Sequence, residues 1–196
     1  MPLFDSFCNK SPQNEFLEFS IDDWQKGRKH GIVKPYREDF LMIRILFICH
    51  GNICRSVSAH YIMNYLLQNE HLSEEVFVDS AATSMEEIGN PIYPPMRKAL
   101  EGHHIPIGNH HARRVNKSEY EAFDLIIAMD EENKYNLNRL FDNDPDNKVH
   151  YLMEYTDTPD AIIDDPWYTR DFEMAYREIY KGCSGLIEAI KSKKIK

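Results

Sequence analysis

The segment Cys49-His50-Gly51-Asn52-Ile53-Cys54-Arg55-Ser56 gathers a thiol, two turn-forming residues, an arginine and a hydroxyl within eight positions. Gly51 and Asn52 are residue types that tolerate left-handed backbone angles, so the chain can curl with its amides turned inward. Inward amides at the start of a helix form an anion site, through geometry and dipole together. Arg55 adds a planar fork able to hold two oxygens of one oxyanion. The same positive field favours the thiolate of Cys49, the nucleophilic form of the side chain. Ser56 is placed to hydrogen-bond that sulfur. A cysteine that merely ends a strand is ordinarily inert core. The Gly-Asn turn, the arginine and the position shift the reading to nucleophilic attack on an oxyanion ester.

That position follows from the elements around it. Ile43–Ile48 is a run of apolar residues that reads as a buried strand, and a helix is expected from about Arg55 to Gln68 with Ile62, Tyr65 and Leu66 inward. Val76–Val78 and Leu125–Met129 read as further strands, and Val149–Met153 as a fourth. Pro94-Pro95 opens a helix through Met96 and Leu100. Asp130-Glu131-Glu132 starts another, with acids where the helix dipole favours them. The last helix runs from about Asp171 to Lys191, with Tyr176, Ile179, Tyr180, Cys183, Leu186 and Ile190 as its inner stripe. Such alternation predicts an α/β chain: a single doubly wound domain with a four-stranded parallel sheet flanked by helices. The anion loop then follows the first strand, at the carboxyl ends where ligands bind.

Residues 1–41 differ from the rest. They carry no sustained period and are broken at Ser11-Pro12 and Lys34-Pro35, with one capped helix expected over Ile21–Lys29. They read as a loosely ordered extension, or as sequence ahead of a true start at Met42; a docking arm is the alternative. Residues 42–196 are the expected catalytic domain.

With 196 residues, 42% hydrophobic, the chain can bury a proper core. A formal net charge of −9 argues against a nucleic-acid partner, which would require a basic face. No apolar run is long enough for a membrane span, so no membrane partner is expected. Four cysteines are too few and too scattered for a disulfide scaffold. Together with the lack of a secretory pattern, they point to the cytoplasm.

The form Cys-x-Gly-Asn-Ile-Cys-Arg-Ser resembles the active-site loop of the low molecular weight protein tyrosine phosphatases. The likeness continues through Val78–Ser84, Ile88–Pro91, His110–Arg113, Phe123–Ile126, Met129-Asp130 and Ile162–Tyr168, covering Met42 to the C-terminus in order. It implies hydrolysis of phosphotyrosine in a protein substrate through a cysteinyl-phosphate, with no metal and no cofactor, by a monomer or a weakly self-associating chain. Cys49 would be the nucleophile and Arg55 the phosphate clamp. Asp165, before Pro166, would be the general acid that protonates the leaving oxygen and then the base that activates water. Read alone, Asp164-Asp165-Pro166 is ordinary turn chemistry.

The resemblance also implies that Asn52, Ser56, Ser80 and His110 brace the loop, that Asp164 is a supporting acid, and that Asp130 lies near the site; Asp130 also reads as a helix cap. Cys54 would trap an oxidised Cys49 as a reversible disulfide, and also reads as a small packed side chain. Asn90, Trp167 and Tyr168 are expected at the pocket rim. Glu86 stands where the family often has an aromatic residue, with Glu87 beside it, and His50 replaces an aliphatic residue on the opposite wall. Two relatives in chemistry compete. Arsenate reduction needs further relay cysteines, and Cys183 reads as core. Arginine phosphatases carry Thr where Ile53 stands. A catalytically silent phosphotyrosine-binding module should have lost Cys49 or Asp165.

Overall fold

The computed structural model describes residues 42–194. The helix expected over residues 21–29, and the character of residues 1–41 generally, lie outside the described residues. Four strands, β1 (Ile43–Cys49), β2 (Val76–Ala82), β3 (Leu125–Ala128) and β4 (Val149–Tyr151), form one parallel sheet in the order β2-β1-β3-β4. Helices α1 (Arg55–Asn69), α2 (Pro94–Gly102), α3 (Glu119–Ala122), α4 (Glu131–Leu140), α5 (Pro166–Thr169) and α6 (Phe172–Lys191) accompany it. This is the doubly wound α/β fold that the alternation predicts. No helix among the described residues is long and apolar enough to cross a membrane.

The pleat of β1 divides the core. Ile45, Phe47 and Cys49 face the layer built with α1, α2 and α6, while Leu46 and Ile48 face the layer under α4. Because β1 is flanked by β2 and β3, the chain leaves it in opposite directions, and its carboxyl end opens onto the crevice where such folds bind ligands.

Three elements depart from expectation. β2 runs on to Ala82, since each of its residues pairs with β1 and the small Ser80, Ala81 and Ala82 fit buried positions. β4 stops at Tyr151, and Leu152–Tyr155 turns into a 3-10 helix whose Glu154 carboxylate accepts from Tyr151 N–H at 2.9 Å. The inner face of α1 is Ile62, Met63 and Leu67, with Tyr65 and Leu66 half-buried. In α6 the expected stripe is inward, except that Tyr180 is only half-buried. Two glycines in that helix make close approach possible. A Cβ on Gly185 would lie 1.9 Å from the Tyr155 carbonyl oxygen, and one on Gly182 2.5 Å from Leu152 Cγ.

Candidate active site

The loop from β1 to α1 turns on Asn52, whose φ of 58° is left-handed. Gly51 is not left-handed; its missing side chain makes room for Glu87, whose Cγ a Cβ would meet at 3.1 Å. No side chain caps the first turn of α1, so its amides are free to serve an anion. Asn52 N–H already points at the nucleophile candidate, donating to Cys49 Sγ at 3.3 Å.

Asn52 is fully buried and organises the loop from inside. Its Oδ1 accepts from Arg113 N–H at 3.2 Å, which fixes which side-chain atom is oxygen. Its Nδ2 then donates to Ser56 Oγ at 2.9 Å and Ser80 Oγ at 3.0 Å. Because Ser56 Oγ accepts from Asn52, its own proton is left for Cys49 Sγ, 3.0 Å away, or for the Ala81 carbonyl at 3.4 Å. His110 Nε2 donates to the Asn52 carbonyl at 2.7 Å, and burial holds the His110 pKa below its usual value, so the ring stays neutral. The four expected bracing residues are therefore one connected network.

Arg55 is 2% exposed and enters the loop from below. NH1 donates to Asp130 Oδ2 and to the Ile163 carbonyl, and NH2 to Asp165 Oδ2. Burial works against its charge, but Cys49, Asp165 and Asp130 outweigh it and raise its pKa. Its Nε is buried with no partner among the described residues. Asp130 does both jobs open to it, since its Oδ1 also caps α4 by accepting from Asn133 N–H at 2.7 Å. Asp165 caps α5 through Trp167 N–H at 2.9 Å.

One pocket is lined by Cys49, Cys54, Arg55, Asp165, Trp167 and Tyr168, with His50, Gly51, Ile53, Glu86 and Glu87 completing it. Tyr93 supports this wall: its ring centroid is 5.1 Å from that of Trp167, and its N–H binds the Ile53 carbonyl. Tyr168 is 83% exposed at the mouth. Burial first, then the negative charge of Cys49 and Asp165, pushes the Cys54 thiol up, so it is held protonated.

Three expected placements change. Asn90 is not on the pocket wall; it donates to Glu87 Oε2 at 2.7 Å and so positions a residue that is. Asp164 is exposed and outside the network, and its charge falls instead on Glu178. His50 and Glu86 are not opposed: Nε2 lies 3.2 Å from the Glu86 carboxylate, and Nδ1 3.7 Å from Glu132. Sequence reasoning gave no role to Arg113, Tyr93 or Ile163. Arg113 had a signal in the motif His110–Arg113, whereas the other two act through ring packing and a backbone carbonyl.

A family model described as low molecular weight phosphotyrosine protein phosphatase matches residues 44–196. The chain belongs to that family. It is 38% identical over 148 residues to the low molecular weight phosphotyrosine protein phosphatase of Homo sapiens, covering 74% of this chain and 93% of that one. It is 34% identical to the low molecular weight protein-tyrosine-phosphatase YfkJ of Bacillus subtilis, over 78% of this chain and 99% of the relative. The crystal structure of YfkJ superposes with a TM-score of 0.75, covering 78% and 97% of the two chains. That of a protein tyrosine phosphatase from Entamoeba histolytica gives 0.70 at 30% identity, covering 78% and 99%.

Proposed function

We propose that this chain is a protein-tyrosine phosphatase that hydrolyses phosphotyrosine through a cysteinyl-phosphate. The observation that carries the reading is the convergence of Cys49, Arg55 and Asp165, from two distant segments, on one pocket with aromatic walls. The Cys49 sulfur attacks phosphorus, and the bond from phosphorus to the tyrosyl oxygen breaks. Asp165 gives that oxygen its proton. Water then loses a proton to Asp165 and attacks phosphorus, and the S–P bond breaks to return the thiolate and release phosphate.

The remaining parts have matching roles. The uncapped amides of α1 and the unpartnered Nε of Arg55 are donors for the phosphoryl oxygens. As Arg55 turns to them, Asp165 exchanges its contact with NH2 for the leaving oxygen. Ser56, oriented by Asn52, stabilises the thiolate as leaving group in the second step. Cys54 lines the same pocket as Cys49, which supports its trapping an oxidised Cys49 as a reversible disulfide, and a reducing compartment such as the cytoplasm would return both thiols.

Ile53 favours an aromatic substrate over phosphoarginine, since it puts an apolar side chain on the pocket wall. Cys183 is fully buried in the core, which disfavours an arsenate-reducing relay. Rates on phosphotyrosine, phosphoarginine and arsenate, measured side by side, test the reading. Phosphotyrosine should dominate and Cys49→Ser should abolish its hydrolysis; activity that persists in Cys49→Ser sinks the mechanism.

A further inference from the structure

A second groove adjoins the pocket and shares His50 with it. Its floor is tied to the catalytic loop, because Thr83 N–H donates to the Cys49 carbonyl at 2.9 Å and Ser84 N–H to the His50 carbonyl at 3.0 Å. One side is the extended segment beside the end of β2, where Ala82 N–H binds the Arg113 carbonyl and Val115 N–H binds the Ala82 carbonyl. The alternation of extended chain sends the two arginines different ways. Arg113 pairs with Asp79 and Glu119, both at 2.8 Å. Arg114 lines the groove, with its Nε on the Thr83 carbonyl.

The facing side is α4. Its positions 136, 139 and 140 share one helical face, which presents Asn136 and Arg139. Among the described residues neither Arg114 nor Arg139 has a carboxylate within salt-bridge distance; Arg139 rests over the Tyr135 ring. In a chain of net charge −9, two guanidinium forks with no carboxylate partner among the described residues, beside the Asn136 amide, are a concentration of donors suited to a dianion.

We infer that this groove is a second anion subsite, which takes another phosphorylated side chain of the same polypeptide while its phosphotyrosine occupies the catalytic pocket. The inference rests on the phosphatase reading above and adds substrate selection to it. Phosphate suits the groove better than a carboxylate, because its charge of about −2 balances two guanidinium charges where a carboxylate brings only one. Glu86 and Glu132 flank His50 on the ridge between the pockets. They repel an anion that stops short of the arginines, so the benefit depends on the spacing between the two phosphorylated residues.

The test compares phosphotyrosine peptides carrying phosphoserine, glutamate or serine at each of several positions on either side, with phenyl phosphate as a substrate too small to reach the groove. At the matching spacing, phosphoserine should raise kcat/KM about five- to tenfold over serine, as charge-assisted contacts at exposed arginines allow. The gain should shrink as salt is added. In Arg114→Ala/Arg139→Ala the ratio should fall to about one while phenyl phosphate turnover persists. No gain at any spacing, or a gain that survives in the double variant, overturns the subsite. An equal gain from glutamate overturns phosphate as its ligand. A wild-type chain inactive on phenyl phosphate would remove the phosphatase reading itself, and the subsite with it.

Discussion

The side-chain amide of Asn52 donates to Ser56 Oγ at 2.9 Å and thereby frees the serine proton, whose nearer acceptor is the Cys49 sulfur at 3.0 Å against the Ala81 carbonyl at 3.4 Å. In the proposed mechanism the two residues act on Cys49 as a unit. Asn52→Ala and Ser56→Ala should each slow phenyl phosphate turnover by about ten- to a hundredfold, the scale on which single positioned donors act or somewhat below it. The double variant should be little slower than the worse single one, because residues in one network are not additive. Independent, multiplying losses would contradict the shared role. Asn52→Ala should also lower stability by about 1–2 kcal/mol, since alanine is strained at a φ of 58°.

Asp165 is the only proposed proton donor on the pocket wall opposite the loop. Asp165→Asn should lower kcat by about 10²- to 10⁴-fold on esters with poor leaving groups, the range of general acid catalysis. The loss should be smaller for esters whose leaving oxygen needs no proton. Inhibition by inorganic phosphate should change little, because the amides and Arg55 remain. An undiminished rate on phosphotyrosine would place the acid elsewhere.

Gly185 lets α6 lie against the turn after β4, where a Cβ would come 1.9 Å from the Tyr155 carbonyl oxygen. Backbone cannot swing aside as a flexible side chain can. Gly185→Ala should destabilise by about 1–3 kcal/mol or more despite the better helix propensity of alanine, read as a lower denaturant midpoint. Gly102, with open space at its Cβ, is the control, and Gly102→Ala should cost far less.

Two histidines should make the fold sensitive to mild acid. Burial lowers the pKa of His60 against the partial compensation of Asp79, and that of His110 against its hydrogen bond to the Asn52 carbonyl. Between the lowered folded pKa and the unfolded value near 6.5, the unfolded chain binds more protons. The stability from keeping these rings neutral is therefore complete above about pH 6.5 and is lost as pH falls through the folded pKa values. Denaturant midpoints measured from neutral pH down to about pH 5 should fall, and His60→Leu should flatten the slope. An unchanged slope would remove His60 from the account.

Removing residues 1–41 should leave phenyl phosphate kinetics and the unfolding midpoint unchanged. The family match begins at residue 44, and every site partner named above lies after it. A loss of rate on the truncated chain would show that these residues contribute to catalysis.

Much of this arrangement is legible in the sequence because it is local. Cys49, Asn52, Arg55 and Ser56 sit on one loop, and an apolar run ahead of them predicts the strand that presents them. Asp165 is legible through the resemblance, not through its own surroundings, where Asp-Asp-Pro reads equally as a turn. The pairing of Arg113 with Asn52 could not be read, since it runs through a backbone N–H that any residue would supply. The Gly51 reading missed for a different reason: flexibility and close approach both select glycine, and only the structure tells them apart. The end of β4 departs from expectation because Leu152 and Met153 are as apolar as a strand requires, yet both are buried in the 3-10 turn, Leu152 against Gly182 of α6.

The placement of Cys49 at the end of the first strand and of Asp165 before the last helix has a consequence during synthesis. The two lie 165 − 49 = 116 positions apart, so at about 5–20 residues per second the cysteine precedes its proposed acid by roughly 6 to 23 s. β1 cannot complete its place in the sheet until β3 is made, nor can Arg55 meet Asp165. Each new chain thus emerges with an unguarded thiol, and the cell that makes it must keep that sulfur reduced until the last helix closes the fold.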